Sequence, residues 1–420
     1  MQDSEARRAR PVLYYGSRAV PRATTALLWN GYRTYIGVVL SLFLLVLFLN
    51  LPNYGIALNA SLPPKLWYFA FVLLLAPLFF QTRALLFYLF SPFALWALAY
   101  VLINLIHLLG GVSGGEVARD AAILTRIQFV VLAVALGFAL WSWRDFGYDG
   151  IFRAVAVLAP VVVILDFLVP GLFYPPGTPG TVPGRASATF INPTIAGEVI
   201  LITFLFACPS VSMRYRMPLF LLTGLGAAMT FSRSAIVAWM VLWAFLQYRR
   251  VLPAAGYAYV LAFCAAIPFV LAALQGYLGS RADLDGAMGN LQDRISFFSN
   301  PSFNDESSQE RYEALRAGLE LFLQSPIEGA GAGATSSWLL AVGTHNQFIL
   351  LAAEYGVVGI ACWLAMARML WTGKYFADRS LQIALVFLFV FLSMFAHTVF
   401  DMLYWLITFA LVSDRTSPER

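Results

Sequence analysis

Long apolar runs dominate this chain. From Tyr35 to Val412 they recur at roughly 15 to 25 residues each, divided by short polar joints. The runs do not alternate with period two, as barrel strands would. Inside lipid a backbone must satisfy its own hydrogen bonds, and only helices or closed barrels do so. The pattern therefore predicts an all-α, polytopic integral membrane protein with about twelve transmembrane helices. Their limits read as 35–50, 66–80, 84–109, 121–141, 150–173, 195–209, 217–231, 234–248, 253–275, 346–370, 380–398 and 400–413. Met217–Gln247 is too short for two full spans and too long for one upright span, so a turn at Arg233 is expected below the membrane surface.

One polar stretch, 276–345, is much longer than the other joints. Within it Ser307-Ser308-Gln309-Glu310 reads as a capping box that opens a helix. Tyr312, Leu315, Leu319 and Phe322 then share a face at helical spacing. Ser325-Pro326 ends the helix. Arg311 stands at the edge of the apolar face, with Glu313 and Glu320 opposite. Such an amphipathic helix can lie over a membrane mouth and present a cation to it, or can pack as a plain cap with Arg311 solvated. The expected organisation is a basic segment 1–34, nine spans over 35–275, a large loop 276–345, three spans over 346–413 and a tail 414–420.

Composition agrees with the pattern. The 420 residues are 60% hydrophobic and 12% charged, about half the charge of a soluble protein. The net charge of +5 is scattered over the joints, so it reports topology rather than nucleic-acid binding. With the N-terminus inside, Arg7, Arg8, Arg10, Arg18, Arg22 and Arg33 are internal. So are Arg83, Arg144, Arg214, Arg216, Arg249, Arg250, Lys374, Arg379, Arg415 and Arg420, as the positive-inside rule requires. Short outer joints hold Lys65, Arg119, Arg185 and Arg233, and the large loop is outside. Both termini are expected in the cytoplasm, with no cleavable signal peptide ahead of the first run. Cys208, Cys264 and Cys362 show no metal spacing and read as packing residues.

His345 is the leading candidate for chemistry. A flexible glycine loop, Gly329-Ala330-Gly331-Ala332-Gly333, precedes it, and an apolar helix follows. A helix N-terminus disfavours imidazolium, and nearby arginines act in the same direction. A neutral ring is what a general base needs. Arg185, Arg233 and Arg311 come from three separate outer segments and can reach one rim. Guanidinium groups bind phosphate oxygens in bidentate fashion, which points to an anionic, phosphate-bearing substrate. Asp166, Glu198, Glu354 and Asp401 lie inside apolar runs and read as helix–helix contacts before proton relays. His107 and His397 read as structural. Asp283-Leu284-Asp285 has the spacing of a paired-acid metal site, a pattern common by chance.

These motifs resemble the O-antigen ligase and polymerase superfamily. The resemblance rests on His345-Asn346-x-x-Ile349…Glu354-x-Gly356-x-x-Gly359 after Pro326…Gly329-x-Gly331-x-Gly333. It also rests on Ser232-Arg233-Ser234, on Arg185-x-x-x-Thr189-Phe190-x-Asn192-Pro193 and on Glu310-Arg311-Tyr312. It covers roughly 185 to 360, and Ala188 and Thr194 depart from the pattern. It implies a GT-C-like membrane glycosyltransferase at the periplasmic face of a bacterial inner membrane. The implied donor is a glycan on undecaprenyl diphosphate, and for a ligase the acceptor is a sugar of lipid A–core. It implies inversion without a metal or other cofactor. His345 would be the base, Arg185, Arg233 and Arg311 would hold the diphosphate, and Asn346 would join the donor site. A polymerase would use a second lipid-linked glycan as acceptor. A protein oligosaccharyltransferase would carry a larger outer region, and a transporter or flippase would show internal repeats and midplane charges.

Overall fold

The computed structural model describes residues 23–413 except 60–61, 111–116, 170, 176–177, 179–184, 255, 260, 263–264, 266–305, 337, 339, 341–342 and 397. All regular elements among these residues are helices. The first eight are α1 (Ala23–Phe48), α2 (Leu51–Ala57), α3 (Pro64–Leu74), α4 (Ala76–Phe79), α5 (Thr82–Leu89), α6 (Pro92–Leu109), α7 (Val117–Ser142) and α8 (Asp149–Leu168). Then follow α9 (Pro193–Ala207), α10 (Met213–Met229), α11 (Arg233–Tyr248), α12 (Glu306–Gln324), α13 (Gln347–Thr372), α14 (Arg379–Ser393) and α15 (Leu403–Val412). Among the described residues six windows are long and apolar enough to cross a membrane: Gly31–Phe48, Pro92–Leu109, Val117–Ser142, Asp149–Leu168, Pro193–Ser210 and Gln347–Thr372. Pro64–Leu74, Arg379–Ser393 and Leu403–Val412 are apolar but shorter.

Local sequence explains where the helices start. Pro64, Pro92 and Pro193 occupy first-turn positions, where a missing N–H costs nothing. Ser91 caps α6 by accepting from the Ala94 N–H at 3.2 Å. Asn192 caps α9 through the Thr194 N–H at 2.8 Å. These starts divide the expected spans 66–80 and 84–109 into shorter helices. The stretch around Arg233 is two helices, α10 and α11, joined at Thr230-Phe231-Ser232.

The centre of the bundle is α9, buried on nearly all sides and packed by α8, α10, α11 and α14. Phe152 and Phe206 stack at 4.6 Å between centroids across the α8–α9 interface. A side chain at Gly197 would collide with Ala235, and one at Gly226 with Pro160. Small residues thus allow α9 and α11, and α10 and α8, to approach closely.

A kink divides α13. Gly356 has φ 61 and ψ −143, outside the helical region, so the helical ladder breaks there. The loop Pro326–Ser336 fills the break. Val357 N–H donates to Pro326 O at 2.8 Å, and the released Ala353 O accepts from Ala330 N–H at 2.7 Å. Glu354 O accepts from Gly331 N–H at 3.1 Å. Side chains at Gly329 or Gly356 would fall on the facing backbone. The glycine loop expected to be flexible is therefore bound along α13, because the kink offers it unpaired backbone groups.

One further expectation needs correction. Among the described residues α12 runs Glu306–Gln324, so Ser307 and Ser308 lie inside the helix rather than ahead of it. Tyr312, Leu315 and Leu319 stay exposed on one face, and a different face packs on α13. Ala314 and Gly318 face inward instead. A Cβ at Gly318 would lie 2.7 Å from Ile349 Cγ2 and 3.3 Å from Thr344 Cγ2. Close helix approach selects small residues here, which outweighs the preference of large apolar ones for burial. The helix does end ahead of Ser325-Pro326.

Candidate functional site

Two arginine-bearing segments meet at one end of the bundle. Arg185 Nε donates to Thr230 O at 2.9 Å, and Ala186 N–H donates to Met229 O at 3.2 Å. The loop of Arg185 is thereby joined to the turn that starts α11 at Arg233. Three groups grip this loop. Asp166 Oδ2 accepts from the N–H groups of Ser187 at 2.9 Å and Ala188 at 2.7 Å. Tyr174 Oη donates to Ala188 O and accepts from Ile191 N–H. Asn50 Nδ2 donates to Phe190 O at 3.2 Å. Burial pushes the Tyr174 phenol above its ordinary range, so it keeps the proton that its donor role requires.

The backbone here is strained. Ala188 (φ 44), Ile191 (φ 65) and Phe231 (φ 48) occupy the left-handed region without being glycine, as does His345 (φ 46). Such residues persist only where their surroundings over-determine them, and they cluster at functional sites.

His345 stands one residue ahead of the cap of α13. Asn346 Oδ1 accepts from Ile349 N–H at 3.0 Å, closing the helix start. Its amide lies 3.7 Å from Met394 Sδ. Met394 directly follows α14, whose opposite end lies against α11, where Arg249 Nε meets Ser380 Oγ at 3.0 Å. Helices α11 and α14 pack together and are 16 and 15 residues long. Their far ends, Arg233 and Ser393, therefore reach the same level. Arg233 and His345 thus stand toward the same end of α14, the end that Met394 marks.

Arg311 approaches from α12. It lies two turns before Gly318 on nearly the same side of the helix, and it is exposed. Gly318 meets Ile349 and Thr344, whereas Pro326 meets Val357 further down. The two helices therefore descend together. Arg311 is carried past the start of α13, at the end that bears His345.

The intramembrane acids Asp166, Glu198, Glu354 and Asp401 all have partners in the fold. Glu198 accepts from Tyr404 Oη at 2.6 Å and Trp405 Nε1 at 2.9 Å, joining α9 to α15. Asp166 holds the loop of Arg185. Glu354 and Asp401 share Arg126 of α7. Arg126 Nη1 pairs with Glu354 Oε2, and its Nε pairs with Asp401 Oδ1 at 3.1 Å. Arg126 Nη1 also donates to Tyr355 Oη at 3.0 Å, which donates to Asn104 Oδ1 at 2.8 Å. Thr335 of the glycine loop donates its hydroxyl to Glu354 Oε1 at 2.5 Å. His107 Nδ1 accepts from Ala332 N–H at 3.1 Å, a structural role. Sequence reasoning missed Arg126. Its signal was a lone guanidinium inside an apolar run, which demands a partner.

His397, Asp283 and Asp285 lie outside the described residues. Among the described residues no three His, Cys, Asp or Glu side chains gather in a metal-binding group. The elements of Arg185, Arg233 and His345 thus come together at one end of the bundle, Arg185 on a loop and Arg233 at a helix start beside residues of left-handed backbone. A family model described as O-Antigen ligase matches residues 218–364. The matched segment contains Arg233, Arg311, His345 and Asn346, but not Arg126, Arg185 or Asp401. No curated protein matches the chain.

Proposed function

We propose, for a chain that belongs to the O-antigen ligase/polymerase superfamily, a ligase reaction at the His345 end of the bundle. O-antigen polysaccharide passes from undecaprenyl diphosphate to a hydroxyl of lipid A–core at the periplasmic face of the inner membrane. The family match over Arg233, Arg311 and His345 carries this reading, and the convergence of their elements at one end supports it. His345 accepts the proton of the acceptor hydroxyl. The acceptor oxygen forms its bond to the anomeric carbon as the bond to the diphosphate oxygen breaks, with inversion. Undecaprenyl diphosphate leaves with one more negative charge, which Arg185, Arg233 and Arg311 meet. Donors aimed at developing charge act most strongly in the transition state. The oxygen of Asn346 is committed to Ile349, so its amide, which faces Met394 Sδ, is the group that would turn to the donor.

Reconstitution of the purified chain with a lipid-linked donor tests the reaction. Lipid A–core and a second lipid-linked glycan are supplied in separate vesicles. Transfer to lipid A–core alone is the expected result. Consumption of the second glycan would instead make the chain a polymerase, and movement of intact donor without bond cleavage would make it a transporter. His345→Ala should lower transfer by about 100- to 10,000-fold, the usual contribution of a general base. Full turnover in a folded His345→Ala protein would remove the base assignment.

A further inference from the structure

We infer that the buried cluster of Arg126, Glu354 and Asp401 is a positioning device for His345, acting through the kink of α13. The inference rests on the reading of His345 as the base. The part of α13 ahead of the kink, Gln347 to Tyr355, is a short rod that begins beside His345 and ends at Gly356. Nine helical residues make a lever of about 13 Å. A rotation of about 5° at the kink would move its tip by about 1 Å, and such a displacement can cost roughly a hundredfold in rate. Backbone hydrogen bonds from the loop Pro326–Ser336 bridge the break at Gly356, so the angle depends on what holds that loop and the residues beside the kink.

The cluster sits at the base of the lever. Glu354 and Tyr355 are the two residues before the kink, and both are fully buried. Glu354 reaches Arg126 of α7 with one carboxylate oxygen and Thr335 of the glycine loop with the other. Tyr355 ties the same point to Asn104 of α6. Asp401 holds Arg126 from a third side, between α14 and α15. The lever is thus fixed to helices from both halves of the chain and to the loop that leads to His345. No member of the cluster is needed as a proton carrier or phosphate ligand in the reaction proposed above. A hydrophobic interior would have sufficed for packing alone, because replacing a buried ion pair with apolar residues is often neutral or stabilising. Directional groups fix an angle where apolar contacts do not.

Two measurements on the full-length protein test this. The first compares Glu354→Gln with the triple variant Arg126→Met/Glu354→Met/Asp401→Asn. Glu354→Gln is expected to lower kcat at least tenfold with the KM for donor and acceptor unchanged within twofold. The triple variant is expected to recover the thermal midpoint of the parent but not its kcat. Recovery of both would make the cluster a packing feature and overturn the inference. The second needs no activity. With Cys208, Cys264 and Cys362 replaced by alanine, a cysteine is introduced as Ala334→Cys, a buried position of the glycine loop. Maleimide should label it at least tenfold faster when Glu354→Gln is added. Equal labelling would show that the carboxylate does not hold the loop, and would overturn the clamp whether or not His345 is the base. Loss of transfer in the parent protein, with labelling that still responds to Glu354→Gln, would instead locate the error in the proposed reaction.

Discussion

The left-handed conformation of His345 separates its two demands, backbone and chemistry. A non-glycine residue at φ 46 stores strain, and asparagine tolerates that region better than most residues. His345→Asn should therefore fold as well as the parent while losing the base, with turnover down by about 100-fold or more. Circular dichroism with a thermal melt, read beside the transfer assay, checks both halves. Retained turnover would show that the ring only supports the loop. Arg233 allows a similar separation. Arg233→Lys keeps the charge but loses the fork that grips two phosphate oxygens. Transfer should fall about tenfold and further in Arg233→Ala; equal effects of the two changes would mean that charge alone matters. The cap of α13 at Asn346 was legible in the chain, because its side chain acts within three residues, on Ile349. Arg126 could not be assigned a partner, since Glu354 lies 228 residues away and no local rule reports such a distance.

At the scale of elements, the same division between local and distant causes decides what could be read. Helix starts at Pro92, Pro193 and Gln347 follow from caps and first-turn prolines that act within three residues. The face by which α12 packs does not, because it depends on how closely α13 approaches. The glycine loop was misread for a related reason. Glycine suggests freedom when no partner is visible, but here it permits backbone contact with a second break at Gly356. Gly356→Ala should cost roughly 1–3 kcal/mol of stability for the strained conformation alone, and more because its Cβ meets the Pro326–Ile327 backbone. A thermal melt that does not shift would mean that the kink relaxes. The loop of Arg185 depends in the same way on Asp166. Asp166→Ala leaves two N–H groups without their acceptor and should cost about 1–3 kcal/mol. Asp166→Asn keeps one acceptor oxygen and should cost less, with a smaller rise in the KM for donor. Equal KM values for parent and alanine variant would detach this loop from donor binding.

For the whole molecule, the question is how a membrane protein handles a departing diphosphate. The leaving group gains negative charge at the lip of a low-dielectric bundle, where unscreened charge is costly. A bound divalent ion or a set of guanidinium groups can meet that charge, and the two solutions respond differently to chelation. In the reaction proposed above, Arg185, Arg233 and Arg311 would supply the second. Arg185 is anchored by its bond to the Thr230 carbonyl and by the gripped loop described above. On that proposal, neutralisation needs nothing from the medium. Transfer in the reconstituted system should therefore proceed unchanged in excess EDTA and gain nothing from added magnesium or manganese. Raising ionic strength should weaken donor capture, since the exposed Arg311 acts through solvent, while kcat at saturating donor should change little. Complete loss of transfer in EDTA, restored by a divalent ion, would overturn the arginine account and return attention to Asp283 and Asp285. A twofold or smaller effect of EDTA, together with loss of turnover in Arg233→Ala, would assign the charge of the leaving group to the arginines.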